Sequence, residues 1–182
     1  MKSKLLLLCH TRKTDPDPRR RTLSSGVARR RGIVPFALLF CALPLMAADP
    51  PGFVVWSASD VKGIDKKLSA KVDEHKFSSQ QLDKWGNHYA MVAHREGDGV
   101  AELHETESDI FVVQSGTATL IVGGEMVDGK TTAPNEVRGA SIKNGTEHKL
   151  GPGDIVHIPP KVPHQVLVGK GKFTYFVVKV GQ

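Results

Sequence analysis

From Lys76 onward, apolar residues fall in short runs separated by glycine, proline, asparagine and aspartate. Apolar runs of this length, bounded by turn residues, are typical of β-strands. The predicted strands are 88–94, 100–104, 110–113, 118–122, 155–158, 164–168 and 173–180. Regularly spaced strands of this kind indicate a β-sandwich or a closed β-barrel.

Two segments of the chain do not follow this strand pattern. Residues 53–56 predict a short strand, and Ser57 or Ser59 is placed to cap a helix that follows it. In that helix, apolar residues recur at intervals of three or four: Val61, Ile64, Leu68 and Val72. Residues 123–145 contain turn signals throughout, so they predict a long connection and not part of the core.

The N-terminal segment carries most of the positive charge. Residues 1–48 contain ten lysines or arginines and two aspartates, whereas the rest has fifteen basic and seventeen acidic residues. Arginines at 29–31 precede an apolar stretch, 33–46, that is followed by the small residues Ala47 and Ala48. This order is typical of a secretory signal peptide, and the stretch is short for a membrane span. We therefore expect cleavage near Ala48 or Asp49, a periplasmic or secreted protein, and no membrane contact after cleavage.

Two alternatives stay open for this leader. The first is an uncleaved anchor, because Leu45 and Met46 are larger than the residues that a cleavage site prefers. The second is a misassigned start at Val27 or Leu23, because the segment before Val27 is long and polar for a signal peptide.

The mature chain is expected to form one domain, since about 134 residues suffice for one sizeable core. Both cysteines, Cys9 and Cys41, fall in the leader, so the domain is expected to have no disulfide. The near-neutral charge balance and the absence of a basic stripe argue against nucleic-acid binding. The predicted division is a leader (1–48), an N-terminal strand and helix arm (49–86) and a β-barrel (87–182).

Four residues form a candidate metal site. Glu102 and His104 lie two positions apart on a predicted strand, so their side chains point to the same face. Asp109 follows shortly afterwards, and His164 ends a run whose Gly and Pro residues mark turn and strand boundaries. Carboxylates and imidazoles that converge inside a sheet suggest a metal ion. The alternatives are interior histidines bonded to the backbone, a surface glutamate and a turn aspartate.

These residues resemble the two sequence motifs of the cupins, which are small jelly-roll β-barrels with a metal ion in the barrel mouth. Gly153, Pro159 and His164 match the second motif at its spacing, while Lys161 and Val168 replace its inner glycine and final asparagine.

The first cupin motif is altered at its ligand positions. His104 takes the position of the second histidine, and Glu102 stands where the first histidine should be. Asp109 replaces the glutamate, and Gly116 follows at the expected distance. The resemblance covers residues 87–180 and implies an all-β fold, a cupin jelly-roll β-barrel with a short N-terminal helix. Residues 88–116 are also similar to small bacterial single-cupin proteins.

The resemblance implies a divalent metal ion held by Glu102, His104, Asp109 and His164. Two carboxylates with two imidazoles form a hard donor set, which favours Fe(II) or Mn(II), although Zn(II) also fits. His88 and His157 are tentative catalytic acid–base candidates. Small apolar neighbours suggest that the His88 face points inward, and the strand of His157 should border the site, where this histidine lines the pocket or faces solvent.

The cupins include dioxygenases, isomerases, epimerases, lyases, storage proteins and sugar-binding domains, so the fold alone does not select a reaction. The sequence contains no nucleophile elbow, phosphate-binding loop, dinucleotide fingerprint or zinc-protease helix. The resemblance implies a metal-dependent enzyme, dioxygenase- or isomerase-like, that acts on a small oxygenated molecule. A non-catalytic module that binds a small ligand or sugar, and a metal-free structural barrel, are the alternatives. We also expect a homodimer in which residues 53–56 and the helix cover a sheet edge of the partner.

Overall fold

Residues 47–182 are described by the computed structural model, and they contain one helix and thirteen strands. The predicted signal peptide, with Cys9 and Cys41, lies in residues 1–46, outside the described part. Within residues 47–182, no helix has both the length and the apolar character needed to cross a membrane.

Helix α1 (Ala58–Ser69) begins at the predicted cap. Ser57 Oγ accepts a hydrogen bond from the Asp60 backbone N–H, and the Ser57 N–H donates to the Asp60 carboxylate, which forms a capping box. The apolar side of α1 is buried against the outer face of a sheet, where Val61, Ile64 and Leu68 meet Val92. The predicted helix is confirmed with Val61, Ile64 and Leu68 on its buried side, but it ends at Ser69, so Val72 lies outside it.

Residues 53–56 do not form the predicted strand, and this is a correction. The chain there is irregular, and Phe53 and Val55 are exposed. The segment pairs with no other strand of residues 47–182, so its backbone lacks the partner that a strand requires. The homodimer that was expected to use this segment stays a prediction.

Two antiparallel sheets enclose the main core. The first sheet has, in spatial order, β1 (Phe77–Trp85), β2 (His88–Arg95), β13 (Phe173–Gly181), β4 (Glu107–Gly116) and β11 (Ile155–Ile158). The second has β10 (Thr146–Leu150), β5 (Ala118–Val122), β12 (His164–Leu167), β3 (Ala101–His104), β8 (Glu136–Gly139) and β7 (Lys130–Ala133). A separate ribbon pairs β6 (Glu125–Val127) with β9 (Ser141–Lys143). The mostly-β prediction is confirmed.

The core between the sheets contains apolar side chains from both of them. Phe111 and Val177 come from the first sheet, whereas Leu120 and Val166 come from the second. All four are at most 4% exposed, so they form a tightly buried apolar core between the sheets. Phe111 and Val177 also line the cavity that holds Glu102 and Asp109, so the apolar core borders the polar site directly.

The sequence pattern missed six strands, β1, β6, β7, β8, β9 and β10. β1 is rich in polar residues and lies at a sheet edge, so only a few of its side chains alternate into the core. Because β1 pairs along β2, the barrel extends N-terminally to Phe77, into the segment predicted as an arm. Residues 123–145, predicted as a connection, contain β6, β7, β8 and β9, which are only three or four residues long.

Candidate metal centre

The four predicted ligands come from three strands that meet between the two sheets. Glu102 and His104 lie on β3, and Glu102 is paired directly with His164 of β12. Asp109 faces them from β4 in the opposite sheet. Ligand atoms of Glu102, His104 and His164 all lie within 4.8 Å of one another, close enough for the three to hold one metal ion.

The four side chains place their donor atoms around one point. The Oδ2 atom of Asp109 lies 3.2 Å from Nε2 of His104 and 3.4 Å from Nε2 of His164. The Oε2 atom of Glu102 lies 3.8 Å and 3.9 Å from the same two nitrogen atoms. Asp109 thus lies beside the triad, at the position that the sequence assigned to a fourth ligand.

The other nitrogen of each histidine fixes its tautomer. Nδ1 of His104 lies 2.7 Å from the Glu136 carboxylate, and Nδ1 of His164 lies 3.1 Å from the Val162 carbonyl oxygen. Both oxygen atoms can only accept, so each Nδ1 carries a proton, and a neutral ring in this tautomer has its lone pair at Nε2. This is the second contact that metal-binding histidines commonly make.

The two Nε2 atoms are buried, and neither has a hydrogen-bond partner among the described residues. Two lone pairs that face a carboxylate oxygen repel it unless a cation lies between them. The donor set therefore fits a divalent ion. Burial alone would lower the pKa of His104, but the contact with Asp109 and its charge outweigh burial and raise that pKa. A proton on Nε2 relieves the same repulsion when no metal ion is bound.

Each carboxylate of the site is held by a cationic side chain through its second oxygen atom. Oε1 of Glu102 contacts the Arg138 guanidinium and lies 3.3 Å from Nη2 of Arg95. Oδ1 of Asp109 lies 2.7 Å from the Lys179 ammonium, as an ion pair without hydrogen-bond geometry. The remaining oxygen atom of each carboxylate is turned toward the histidines.

These cations keep both carboxylates ionised. Burial would raise the pKa of Glu102, but the charges of Arg138 and Arg95 outweigh it and hold that pKa below its usual range. Burial would raise the pKa of Asp109, but hydrogen bonds donated by the two histidines when Nε2 carries a proton, together with the charge of Lys179, hold that pKa well below its usual range. The site therefore presents two anionic ligands at neutral pH.

A cavity of about 490 Å³ is lined by Glu102 and Asp109. Its wall is mixed in character, with Met91, Phe111 and Val177 beside ionic and phenolic groups. The polar side chains that line it, apart from the two carboxylate ligands, include Tyr89, Arg95, Glu136, Arg138, Tyr175 and Lys179. The volume is that of a site for a small molecule.

The inward orientation predicted for His88 is wrong. Tyr89, Met91, Ala93 and Arg95 are the β2 residues that line the cavity, so His88 lies on the opposite face of that strand. It stacks on Trp85 outside the barrel. Ala90 and Val92 are small and apolar because α1 covers the outer face of β2, so both faces of this strand are buried and alternation did not distinguish them.

The outer face of β2 also holds His94, which connects α1 to the sheet. Its Nδ1 lies 2.8 Å from the Asp65 carboxylate of α1 and 2.8 Å from the Thr174 hydroxyl of β13. His157 is exposed on β11 and does not line the cavity. Neither His88 nor His157 thus reaches the metal centre, and the acid–base roles expected of them have no support in the geometry.

Sequence reasoning missed the charged side chains around the ligands. Arg138 and Glu136 lie on β8, inside the segment predicted as a connection, and Arg95 lies on the face of β2 predicted to point outward. Lys179 could have been identified from the sequence, because a lysine inside the apolar strand 173–180 requires a buried partner of opposite charge.

A family profile described as JmjC domain matches residues 64–179, which is more than half of the chain. The chain belongs to the JmjC domain family, within the cupin superfamily. The cupin recognition from the two sequence motifs is confirmed. A search of curated proteins returned no significant match.

Solved structures similar to this cupin include three bacterial proteins. A protein with a double-stranded β-helix domain from Klebsiella pneumoniae is 18% identical, with 70% of this chain and 89% of that chain covered and a TM-score of 0.48. The DMSP lyase DddQ from Ruegeria pomeroyi is 20% identical, with 59% of this chain covered and a TM-score of 0.43. The match spans 48% of the lyase chain. A cupin superfamily protein from Desulfitobacterium hafniense is 13% identical, with 62% and 84% covered and a TM-score of 0.43.

Proposed function

We propose that this cupin binds one divalent ion through Glu102, His104, Asp109 and His164 and acts as a metal-dependent enzyme on a small oxygenated molecule. The observation that carries the proposal is the pair of buried, unpartnered Nε2 atoms facing two ionised carboxylates at the inner end of a cavity. The hard donor set favours Fe(II) or Mn(II), and Zn(II) also fits.

When bound, the ion supplies Lewis-acid or redox chemistry of the dioxygenase or isomerase type. The protein residues bind and orient the ligand and control protons. Tyr89 lines the cavity, and burial together with the charges of Glu107, Asp109 and Glu136 raises its pKa to about 12. Its hydroxyl therefore keeps its proton at neutral pH and can donate a hydrogen bond to a bound molecule. Tyr89 takes the place that the sequence assigned to His88 and His157.

The test is turnover by the loaded protein. Protein loaded with Fe(II) or Mn(II) is incubated with small diols, thiols, keto acids and sugar acids, in air and without oxygen, while oxygen uptake and product mass are followed. We expect product from at least one class, and at least about a tenfold loss of rate in Tyr89→Phe with unchanged metal content, since general acid catalysis contributes about a hundredfold or more. His157→Ala is the matched control and should keep the wild-type rate.

A non-catalytic module that binds a small ligand or sugar is the second candidate. Among the described residues, neither His88 nor His157 lines the cavity, and this favours the binding module. The same experiment separates the two functions. If a ligand raises the melting temperature of the wild type and of Tyr89→Phe alike while no compound turns over, the protein is a binding module.

Export through the leader is proposed on the sequence alone. The basic cluster and the apolar stretch 33–46 should direct secretion, so the native protein is expected to begin near Ala48 or Asp49 and to accumulate outside the cytoplasm. N-terminal sequencing of fractionated native protein measures this. Recovery of a soluble cytoplasmic protein that still carries residues 33–46 would contradict it.

A further inference from the structure

The two histidines of the metal centre have different second contacts. Nδ1 of His104 lies 2.7 Å from Oε1 of Glu136, which is a charged acceptor. Nδ1 of His164 lies 3.1 Å from the backbone carbonyl oxygen of Val162, which is a neutral one. A hydrogen bond to an ionised group is shorter and about twice as strong as one between neutral groups. The two rings therefore differ in their surroundings, although both present Nε2 to the same point.

The pairing of two strands produces this difference. β8 runs beside β3, and Glu136 lies directly opposite His104 in the register. Two residues further along β8, Arg138 lies opposite Glu102. Side chains opposite each other on one face of a sheet have Cβ atoms about 5 Å apart, so they are held in contact by the strand pairing itself. Each ligand of β3 thus has a charged neighbour that the sheet keeps in place.

Arg138 fixes the orientation of the Glu136 carboxylate. Nη2 of Arg138 lies 3.0 Å from Oε2 of Glu136, the oxygen atom that does not contact the imidazole. The other carboxylate oxygen is therefore left for Nδ1 of His104. The imidazole side chain is only 3% exposed, so its Nδ1–H has little access to water. Removal of Glu136 would leave a buried donor without an acceptor, which is costly.

We infer that Glu136 is a positioning residue of the metal centre, which holds His104 in the tautomer that binds metal and makes this ring the stronger of the two imidazole donors. The inference rests on the proposed metal binding. A carboxylate bonded to the far nitrogen raises the basicity of the ligating one, whereas a backbone carbonyl does so less. The affinity for the ion therefore depends on β8, a strand in the segment 123–145 whose sequence predicts only a connection.

Zinc affinity of the full chain, stripped of metal and titrated against a chelating dye, tests this role. We expect Glu136→Ala to bind Zn(II) at least about tenfold more weakly than the wild type, since loss of such a second contact typically costs about 10- to 100-fold in affinity. Glu136→Gln keeps an acceptor oxygen without the charge, so it should lie between the two and serves if the alanine variant does not fold. Glu125→Ala removes an exposed carboxylate of β6 and should bind like the wild type.

The ring protons separate positioning from a general loosening of the fold. In the zinc-loaded protein, each ligand histidine keeps one ring proton, on Nδ1, which proton–nitrogen correlation NMR detects. Glu136→Ala should shift the signal of His104, or broaden it by exchange with water, while the signal of His164 stays in place.

Wild-type zinc affinity in both Glu136 variants, or an equal change in the two histidine signals, would overturn the inference and leave the proposed function standing. A wild type that binds no zinc would overturn the proposed function, and the inference with it.

Discussion

Replacing His104 and His164 together by alanine is expected to abolish binding of the divalent ion, with the stoichiometry falling from about one per chain to near zero. Each histidine presents a buried Nε2 to the same point, and the carboxylates alone are already paired with Arg138, Arg95 and Lys179. Metal content after loading with Fe(II), Mn(II), Zn(II) or Ni(II) measures the effect.

The melting temperature gives a second reading of the same variants. Metal that binds the native state raises the melting temperature of the wild type by mass action, and this rise should disappear in the double variant. His148→Ala removes an exposed histidine of β10 and is the matched control, which should keep both the stoichiometry and the rise. A double variant that still holds one ion per chain would remove both histidines from the site.

Substitution of Gly116 by alanine is expected to lower the free energy of unfolding by at least about 3 kcal/mol. Gly116 ends β4 with φ +76°, in the left-handed region, and a Cβ there would overlap the backbone carbonyl oxygen of Lys172. That oxygen belongs to the chain that leads into the neighbouring strand β13, so relief of the overlap requires β4 and β13 to separate. Urea unfolding of the domain measures the loss.

Gly123→Ala separates backbone conformation from steric overlap. Gly123 has φ +74°, but a Cβ added there would have no atom of the described residues, its chain neighbours apart, within 4 Å. The free energy of unfolding of this variant should therefore fall by only about 1 kcal/mol, which is the cost of a left-handed backbone conformation for alanine. Equal, small losses in the two variants would show that the contact between Gly116 and the β13 side of the sheet is not tight.

The sequence predicted the apolar strands well because burial on the core imposes a visible pattern. The strands at 118–122 and 155–158 have the predicted ends, and residues 88–94 differ from β2 by one residue. The edge strand β1 and the short strands β6 to β9 carry little such pattern, since their pairing depends on neighbours that are distant in sequence.

The candidate ligands were predictable because two of them share one strand face and the motif spacing supplied the others. The charged residues that contact these ligands were not predictable, because Glu136, Arg138 and Lys179 lie on β8 and β13, which are distant in the sequence. The orientation of β2 failed for a different reason. A helix covers its outer face, so both sides of this strand are apolar, and the choice of inner face needed knowledge of α1 packing.

The position of β8 also has a consequence for how specificity can diverge. β7 and β8 form an outer flap of the second sheet that pairs with the remaining strands through β3 alone. The side chains of this flap, Glu136 and Arg138, contact the ligand set without belonging to either apolar core cluster. Under the proposed function, exchange of this flap between related barrels is expected to change which molecules bind, while the apolar core clusters and the four candidate ligands stay the same. Recognition and folding would then depend on different strands of this domain.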